Sequence, residues 1–324
     1  MGPVVTDPAA APLRDDLALG PPGGFARWLH TADGVRLRLG VWPEGARGTV
    51  LLFPGRTEYV EKYGPAAADL AARGYACVTL DWRGQGLADR PLPDRRIGHV
   101  AEFADYQHDV AALVAAVTGL DLPRPWYLLA HSMGGAIGLR AVTDGLPVAA
   151  CAFTGPMWGI LLPPLARPLA PAIARMACAM GLGHRLVPTT GPQNYVATAA
   201  FAGNVLTTHA PTYAWMQAQL MAAPELALGG PSLHWLDQAL RELGDLARRP
   251  APALPCLTLM GGRERVVDPA AIRARMAAWP GGRLIVEPEA EHEILMEAPD
   301  LRHRAFDALV QLFDRAATGA TPVS

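Results

Sequence analysis

Residues 128–135 read Leu128-Leu129-Ala130-His131-Ser132-Met133-Gly134-Gly135, an apolar run that enters a small-x-Ser-x-Gly turn and leaves it in helix-forming residues. A strand that runs into such a turn and then into a helix is the context of a nucleophile elbow, with the hydroxyl exposed at the carboxyl end of a sheet. Small residues must flank the serine because the backbone closes tightly around a strained seryl position. Ala130 stands where a glycine is usual, and alanine is still small. Ser132 also opens the helix, so the amide of Met133 and the helix dipole face any oxyanion that develops there. A serine that merely caps a helix in a glycine-rich turn is the plainer alternative. The strand and helix on the correct sides favour the nucleophile.

A seryl hydroxyl is a weak nucleophile until a base takes its proton, so Ser132 needs a histidine and an orienting acid further along the chain. The expected order is serine, acid, histidine. His292, in Glu289-Ala290-Glu291-His292-Glu293, follows a strand-like run and precedes the last helix, which is the place of the base. His99 and His108 precede the serine; His30 and His303 fall on a strand and a helix surface; His184, His209 and His234 fall in the strand-poor middle. His131 is expected to fill space beside the elbow. The acid is sought in Gly261-Gly262-Arg263-Glu264-Arg265-Val266-Val267-Asp268-Pro269. Asp268, directly before Pro269, is explained as a helix N-cap. Glu264 lies nearer the strand end with no helix to cap, and is the candidate acid, with Asp268 the alternative. A second oxyanion donor is expected from Pro54-Gly55-Arg56-Thr57-Glu58, where the glycine permits close backbone approach and the Arg56 amide partners that of Met133. The side chains of Arg56 and Glu58 either pair with each other and brace this loop, or contact substrate.

From about residue 25 onward, short apolar runs alternate with longer amphipathic ones, the pattern of strands and crossover helices in a doubly wound sheet. Asp33-Gly34 marks a hairpin turn between strands at 27–31 and 35–41. Further strands are expected at 49–53, 77–81, 126–130, 148–154, 257–260 and 283–286, and helices at 63–73, 103–117, 134–144, 269–278 and 298–313. Between 155 and 235 there is no strand-like run; prolines cluster there with Trp158, Tyr195, Phe201, Tyr213, Trp215 and Trp235. That is too long for an ordinary loop and predicts a helical cap inserted before the acid-bearing strand. The expected organisation is an α/β core over 25–154 and 236–314, a cap over 155–235, and loosely ordered ends at 1–24 and 315–324. Within the cap, Ile160, Leu161, Leu162 and the stretch 176–182 are either acyl contacts or packing between cap and core.

The chain has 324 residues, 51% hydrophobic and 18% charged, which excludes a disordered protein and supplies a sizeable core. Its 28 Lys+Arg against 30 Asp+Glu give a net charge of −2, so no basic excess supports nucleic-acid binding. Lys62 is the only lysine, which together with abundant Ala, Gly and Pro reads as coding bias. Cys77, Cys151, Cys178 and Cys256 have neither C-x-x-C nor metal-ligand spacing and are expected as buried thiols in a reducing compartment. The first 20 residues carry Asp7, Asp15 and Asp16 with no basic cluster or apolar stretch, unlike a signal peptide, so a cytoplasmic location is expected. The most apolar region, 159–183, is broken by Pro163, Pro164, Pro168 and Pro171 and carries Arg167 and Arg175. It suits peripheral contact with the inner membrane face, or the lining of an acyl pocket, rather than a spanning helix.

Several further stretches share a pattern: Phe53-Pro54-Gly55-Arg56-Thr57-Glu58-Tyr59, Asp81-Trp82-Arg83-Gly84-Gln85-Gly86, Gly98-His99-Val100, Gly155-Pro156-Met157-Trp158-Gly159-Ile160 and His292-Glu293-Ile294-Leu295. With the serine motif, and over about residues 27–313, they resemble the bacterial lysophospholipase branch of the α/β-hydrolases, kin to the monoacylglycerol lipases. The resemblance implies a Ser–acid–His esterase that releases a fatty acid from a small amphipathic lipid ester, a lysophospholipid or monoacylglycerol, with no metal or organic cofactor. It also places the acid at Glu264, where most relatives have Asp. Asp81-x-Arg83-Gly84-x-Gly86 occurs across many α/β-hydrolases and speaks for fold rather than substrate. A proline-aminopeptidase-like enzyme would need an acidic site in the cap for a substrate amine, and the cap acids are few, chiefly Glu225 and Asp237. A short-chain carboxylesterase is a further alternative. A non-catalytic binding scaffold should have lost the serine, acid or histidine, and none is lost.

Overall fold

The computed structural model describes residues 9–162, 169–188 and 190–318. Among them nine strands form one sheet: β1 (Ala10–Ala11), β2 (Phe25–His30), β3 (Arg36–Trp42), β4 (Thr49–Phe53), β5 (Ala76–Asp81), β6 (Trp126–His131), β7 (Ala150–Thr154), β8 (Cys256–Gly261) and β9 (Arg283–Glu287). Their order is β1-β2-β3-β5-β4-β6-β7-β8-β9. The first pairs, and β3 with β5, are antiparallel; every pairing from β5 across to β9 is parallel. The hairpin expected at Asp33-Gly34 joins β2 and β3, and Gly34 takes a φ of 84° that a side chain would oppose.

Parallel strands covered by helices on both faces are apolar without alternation, which is why the run Thr49–Phe53 is buried along its whole length. Successive side chains still point to opposite faces. Leu51 and Phe53 pack with Leu128, Ala130 and Phe153, joined by Leu113 and Ile137 from the helices Tyr106–Gly119 and Met133–Thr143. Val50 and Leu52 pack with Tyr127, Leu129 and Leu257, joined by Leu70 and Phe306 from the helices Gly64–Ala71 and Pro299–Ala317. The sheet is thus α/β with helices on both sides, as the alternation of apolar runs predicts.

The N-terminal arm departs from the loose order expected over 1–24. From residue 9 onward it is built into the fold: β1 pairs with β2, and Asp15–Ala18 is a helical turn. Ala18 is fully buried beside Trp42, and Arg14 N donates to Glu61 at 3.3 Å. Tertiary contacts order this arm, and its short alanine- and proline-rich sequence carries no periodicity that would announce them; residues 1–8 lie outside the described residues. At the other end the last helix continues to Ala317, past the expected start of a tail at 315.

Between β7 and β8 the described residues form the helices Ala170–Ala179, Tyr195–Thr198, Ala210–Ala222 and Leu233–Arg248. Strand-like pairing there is limited, among the described residues, to single bridges such as Ile160 with Val267 and Leu186 with Ser232. Pro163, Pro164, Arg167 and Pro168 lie outside the described residues. The helix Leu233–Arg248 runs across position 235/236, where the sequence divides cap from core. Ser232 caps it by accepting from Trp235 N at 3.0 Å, while Trp235, Ala239, Leu243 and Leu246 join the core cluster. Among the described residues no helix is long and apolar enough to cross a membrane.

Candidate active site

β6 ends at His131 and the next helix begins at Met133, so Ser132 alone turns the chain, with φ 50° and ψ −118°. A non-glycine residue in such a conformation costs on the order of 1–3 kcal/mol and persists only where its surroundings fix it. Here Ser132 N donates to the Thr154 carbonyl at 3.1 Å, and the Ser132 carbonyl accepts from Gly135 N and Met157 N, each at 2.8 Å. The glycines after it are there for space. A Cβ on Gly134 would lie 2.3 Å from the Phe53 carbonyl oxygen, and one on Gly135 would lie 2.6 Å from Pro156 Cβ.

The residues singled out from sequence converge at the carboxyl ends of β6, β8 and β9. His292 Nε2 lies 2.9 Å from Ser132 Oγ, and His292 Nδ1 lies 2.7 Å from Glu264 Oε2. The other carboxylate oxygen of Glu264 accepts from Val266 N at 2.7 Å and Val267 N at 3.1 Å. Burial pushes the Glu264 pKa up, but the hydrogen bond and charge of His292, with these two amides, outweigh it and hold the group below its ordinary value. An ionised Glu264 selects the tautomer with the proton on Nδ1, which leaves Nε2 as the acceptor facing the serine. Asp268 is not brought into this array: it is the N-cap of the helix Pro269–Ala277, where its Oδ1 accepts from Ala270 N at 2.9 Å.

The loop after β4 is held from several sides. Pro54 O accepts from Trp82 Nε1 at 2.9 Å, and Gly55 O from Gln85 Nε2 at 3.0 Å. Thr57 N donates to Gln85 Oε1 at 3.0 Å, and Gly55 N donates to the Glu58 carboxylate. Thr57 is forced to a φ of 67°, costly for a β-branched residue. Among the described residues the amides of Arg56 and Met133 donate to no protein group, so both remain open to a ligand. Glu58 does brace this loop, but it pairs with Lys62 rather than with Arg56, whose Nη1 donates to the Gly229 carbonyl at 2.8 Å.

Three buried groups beside the serine were not read as functional from sequence. Lys62 Nζ donates to Glu58 and Glu293, each at 2.8 Å. His131 donates from Nδ1 to the Thr154 carbonyl at 2.9 Å, and its ring lies 4.8 Å from that of His292. Burial lowers the His131 pKa, so the group beside the base is neutral. Glu58, His131 and Glu293 converge closely enough to suggest a metal site, but the Lys62 ammonium already supplies the cation there. Of this cluster the sequence marks only Glu58, as a loop brace or substrate contact, while the lone lysine reads there as coding bias.

Over Ser132 lies a cavity of about 450 Å³ whose walls are largely apolar and come from both the core and the residues 155–235. Ile160, Leu161 and Leu162 line it, as one of their two readings expects. The stretch 176–182 does not: Met176 and Met180 project outward, 57% and 60% exposed. Helical spacing put these residues on the outer face of the helix Ala170–Ala179, which composition alone does not reveal.

The sheet order, the strained serine at a strand–helix turn and the Ser–His–Glu array define the class: an α/β-hydrolase of the serine type. The family described as serine aminopeptidase, S33, matches residues 44–299, and the chain belongs to that family. It is 35% identical to lysophospholipase L2 of Escherichia coli K12 over 293 residues, covering 82% of this chain and 80% of that protein. It is 30% identical to the probable lysophospholipase L2 of Haemophilus influenzae, covering 83% of this chain and 85% of that one. Among solved structures, a soluble variant of monoglyceride lipase from Saccharomyces cerevisiae superposes with a TM-score of 0.69 at 21% identity, over 89% of this chain and 94% of that chain. At that identity the likeness shows the fold.

Proposed function

We propose that the protein hydrolyses the carboxylic ester of a single-chain lipid, a lysophospholipid or monoacylglycerol, through an acyl-enzyme. The observation that carries this reading is the Ser132–His292–Glu264 array opening into a largely apolar cavity. Ser132 Oγ attacks the ester carbonyl carbon as its proton passes to His292 Nε2, with Glu264 stabilising the imidazolium. The amides of Arg56 and Met133 hold the oxyanion. Collapse of the tetrahedral intermediate breaks the bond to the alcohol oxygen, which leaves with the proton from His292. Water then gives a proton to the same nitrogen and attacks the acyl carbon, and the bond to Ser132 Oγ breaks as that oxygen takes the proton back from His292 and the fatty acid leaves.

Residues 155–235 act as the cap that selects the acyl chain. The exposed Leu169, Ile173, Met176 and Met180 on and beside the helix Ala170–Ala179 suit peripheral contact with a lipid surface, and four free thiols suit the reducing side of the membrane. Ester rather than peptide substrates are favoured because the cap acids give no amine site. Asp237 pairs with Arg241 at 2.8 Å, Glu225 is exposed, and neither lines the cavity, while Glu58 and Glu293 are paired with Lys62.

A fluorophosphonate probe should label Ser132, and Ser132→Ala should abolish both labelling and ester turnover while the protein stays folded. Retained turnover in Ser132→Ala would overturn the mechanism. Rates on lysophospholipids, monoacylglycerols, short-chain esters and aminoacyl anilides test the substrate class. Activity confined to short soluble esters would remove the lipid assignment, and preference for the anilides would make the enzyme a peptidase.

A further inference from the structure

Besides the catalytic array, four charged side chains line the cavity: Arg56, Glu58, Lys62 and Glu293. Lys62 is bound to both glutamates. Arg56 stands apart. Its Nη1 meets the Gly229 carbonyl at 2.8 Å, its guanidinium lies 5.7 Å from the Trp235 ring centroid, and no carboxylate among the described residues pairs with it. Elsewhere the chain neutralises its buried guanidiniums: Arg38 pairs with Glu61 and Asp81, and Arg83 with Asp33 and Asp109. Arg90 and Arg275 have no carboxylate among the described residues, but each donates from two nitrogens to backbone carbonyls and neither lines the cavity.

Arg56 is half-buried, and a partly desolvated cation without a counter-charge favours a ligand that supplies one. Burial lowers the Arg56 pKa to about 10, with only Tyr106 opposing. The guanidinium fork matches a phosphate, which it can grip through two donors at once. Nε and Nη2 of Arg56 have no protein acceptor among the described residues, and the hydroxyl-bearing Thr57 lies beside it on the cavity wall.

We propose that Arg56 anchors the headgroup phosphodiester of a lysophospholipid and so separates phosphorylated from neutral single-chain esters. The proposal rests on the esterase reading above. There the Arg56 amide faces the scissile carbonyl, and in a lysophospholipid the phosphate is only a glycerol's length from that carbonyl. One residue therefore meets both ends of the reacting glycerol ester.

The test compares kcat/KM for a lysophosphatidylcholine and a monoacylglycerol of the same acyl chain in the wild type and in Arg56→Met, which keeps the amide. The expected result is a fall in the lysophospholipid-to-monoacylglycerol ratio by about tenfold or more, carried mainly by KM. Equal losses on both substrates would make Arg56 a loop brace and overturn the proposal. A wild-type measurement decides the case if Arg56→Met fails to fold: glycerophosphocholine should inhibit monoacylglycerol hydrolysis competitively, and glycerol should not. Stronger inhibition by inorganic phosphate than by glycerophosphocholine would overturn the headgroup assignment. If the wild type hydrolyses neither lipid, the esterase reading itself fails. If it hydrolyses only the neutral lipid, or the ratio is unchanged in Arg56→Met, the Arg56 proposal alone fails.

Discussion

Lys62 Nζ donates to both carboxylate oxygens of Glu293 at 2.8 Å, so the loop that carries His292 is fixed to the segment that follows the Arg56 loop. The same ammonium meets Glu58 Oε1 at 2.8 Å, while the other Glu58 oxygen takes the Gly55 amide. One cation therefore holds the base loop and the loop of the proposed oxyanion donor together. Removing it leaves two buried carboxylates facing each other, and Lys62→Met should cost about 3–5 kcal/mol, measured by urea unfolding. Burial opposes the lysine's charge, but Glu293 and Glu58 outweigh it and hold Lys62 above its ordinary value of 10.5. Burial raises the Glu58 pKa, but Lys62, through its charge and hydrogen bond, and the Tyr63 hydroxyl hold it below 4.5. The lysine's contribution is present below 10.5 and is lost as pH rises through its raised folded value. The glutamate's is present above 4.5 and is lost as pH falls through its depressed folded value. The stability gap between wild type and Lys62→Met should therefore narrow on acidification below 4.5, as protonation of Glu58 relieves its repulsion by Glu293. A gap that does not change with acid would mean the cluster is not ionised as described.

The two acids of the β8 loop should separate cleanly. Glu264 receives the Nδ1 proton of His292, so Glu264→Gln disturbs the tautomer while nearly preserving shape, and kcat should fall by about 10³–10⁴. Glu264→Asp should recover part of that loss if the shorter carboxylate still reaches Nδ1. Asp268→Ala removes a helix cap instead and should cost about 1 kcal/mol of stability with little change in kcat. A reversed pattern of kcat values would make Asp268 the triad acid.

Local patterns announced the sheet and marked out Ser132, Glu264 and His292, the residues proposed as the catalytic array. Thr49–Phe53 is apolar on both faces because both faces are covered, and Ser132 is marked by the small residues its turn requires. Glu264 was separable from Asp268 because Pro269 gave the aspartate a local task. What stayed hidden depends on contacts between distant segments. Lys62 and Glu58 are only four residues apart, but Glu293 reaches them across the fold, and in the sequence the lone lysine reads as coding bias. Gln85 lay inside a quoted motif, yet its brace on Gly55 and Thr57 exists only once β5 lies beside β4. Nor does the N-terminal arm announce its order, since Ala18 is buried by Trp42 from another strand.

The glycines give the sharpest contrast between space and conformation. At Gly134 an added Cβ would lie 2.3 Å from Phe53 O and 2.5 Å from Pro54 O, backbone atoms that cannot turn aside. Gly134→Ala must therefore push the loop after β4 away from the helix of Ser132, and with it the Arg56 amide. Overpacking of this kind costs about 1–3 kcal/mol, and a displaced oxyanion donor lowers kcat by about 10²–10³. Ser132 and His292 come from other segments, so fluorophosphonate labelling should slow rather than vanish. At Gly119, the last residue of the helix Tyr106–Gly119, an added Cβ meets nothing within 4 Å. Gly119→Ala should stabilise by about 0.4–1 kcal/mol through the unfolded chain, with activity unchanged. Thermal unfolding and kcat measured on the two variants side by side separate the effects. If Gly134→Ala kept full activity, the loop after β4 would not supply the oxyanion donor, and the second amide would have to be sought elsewhere around Ser132.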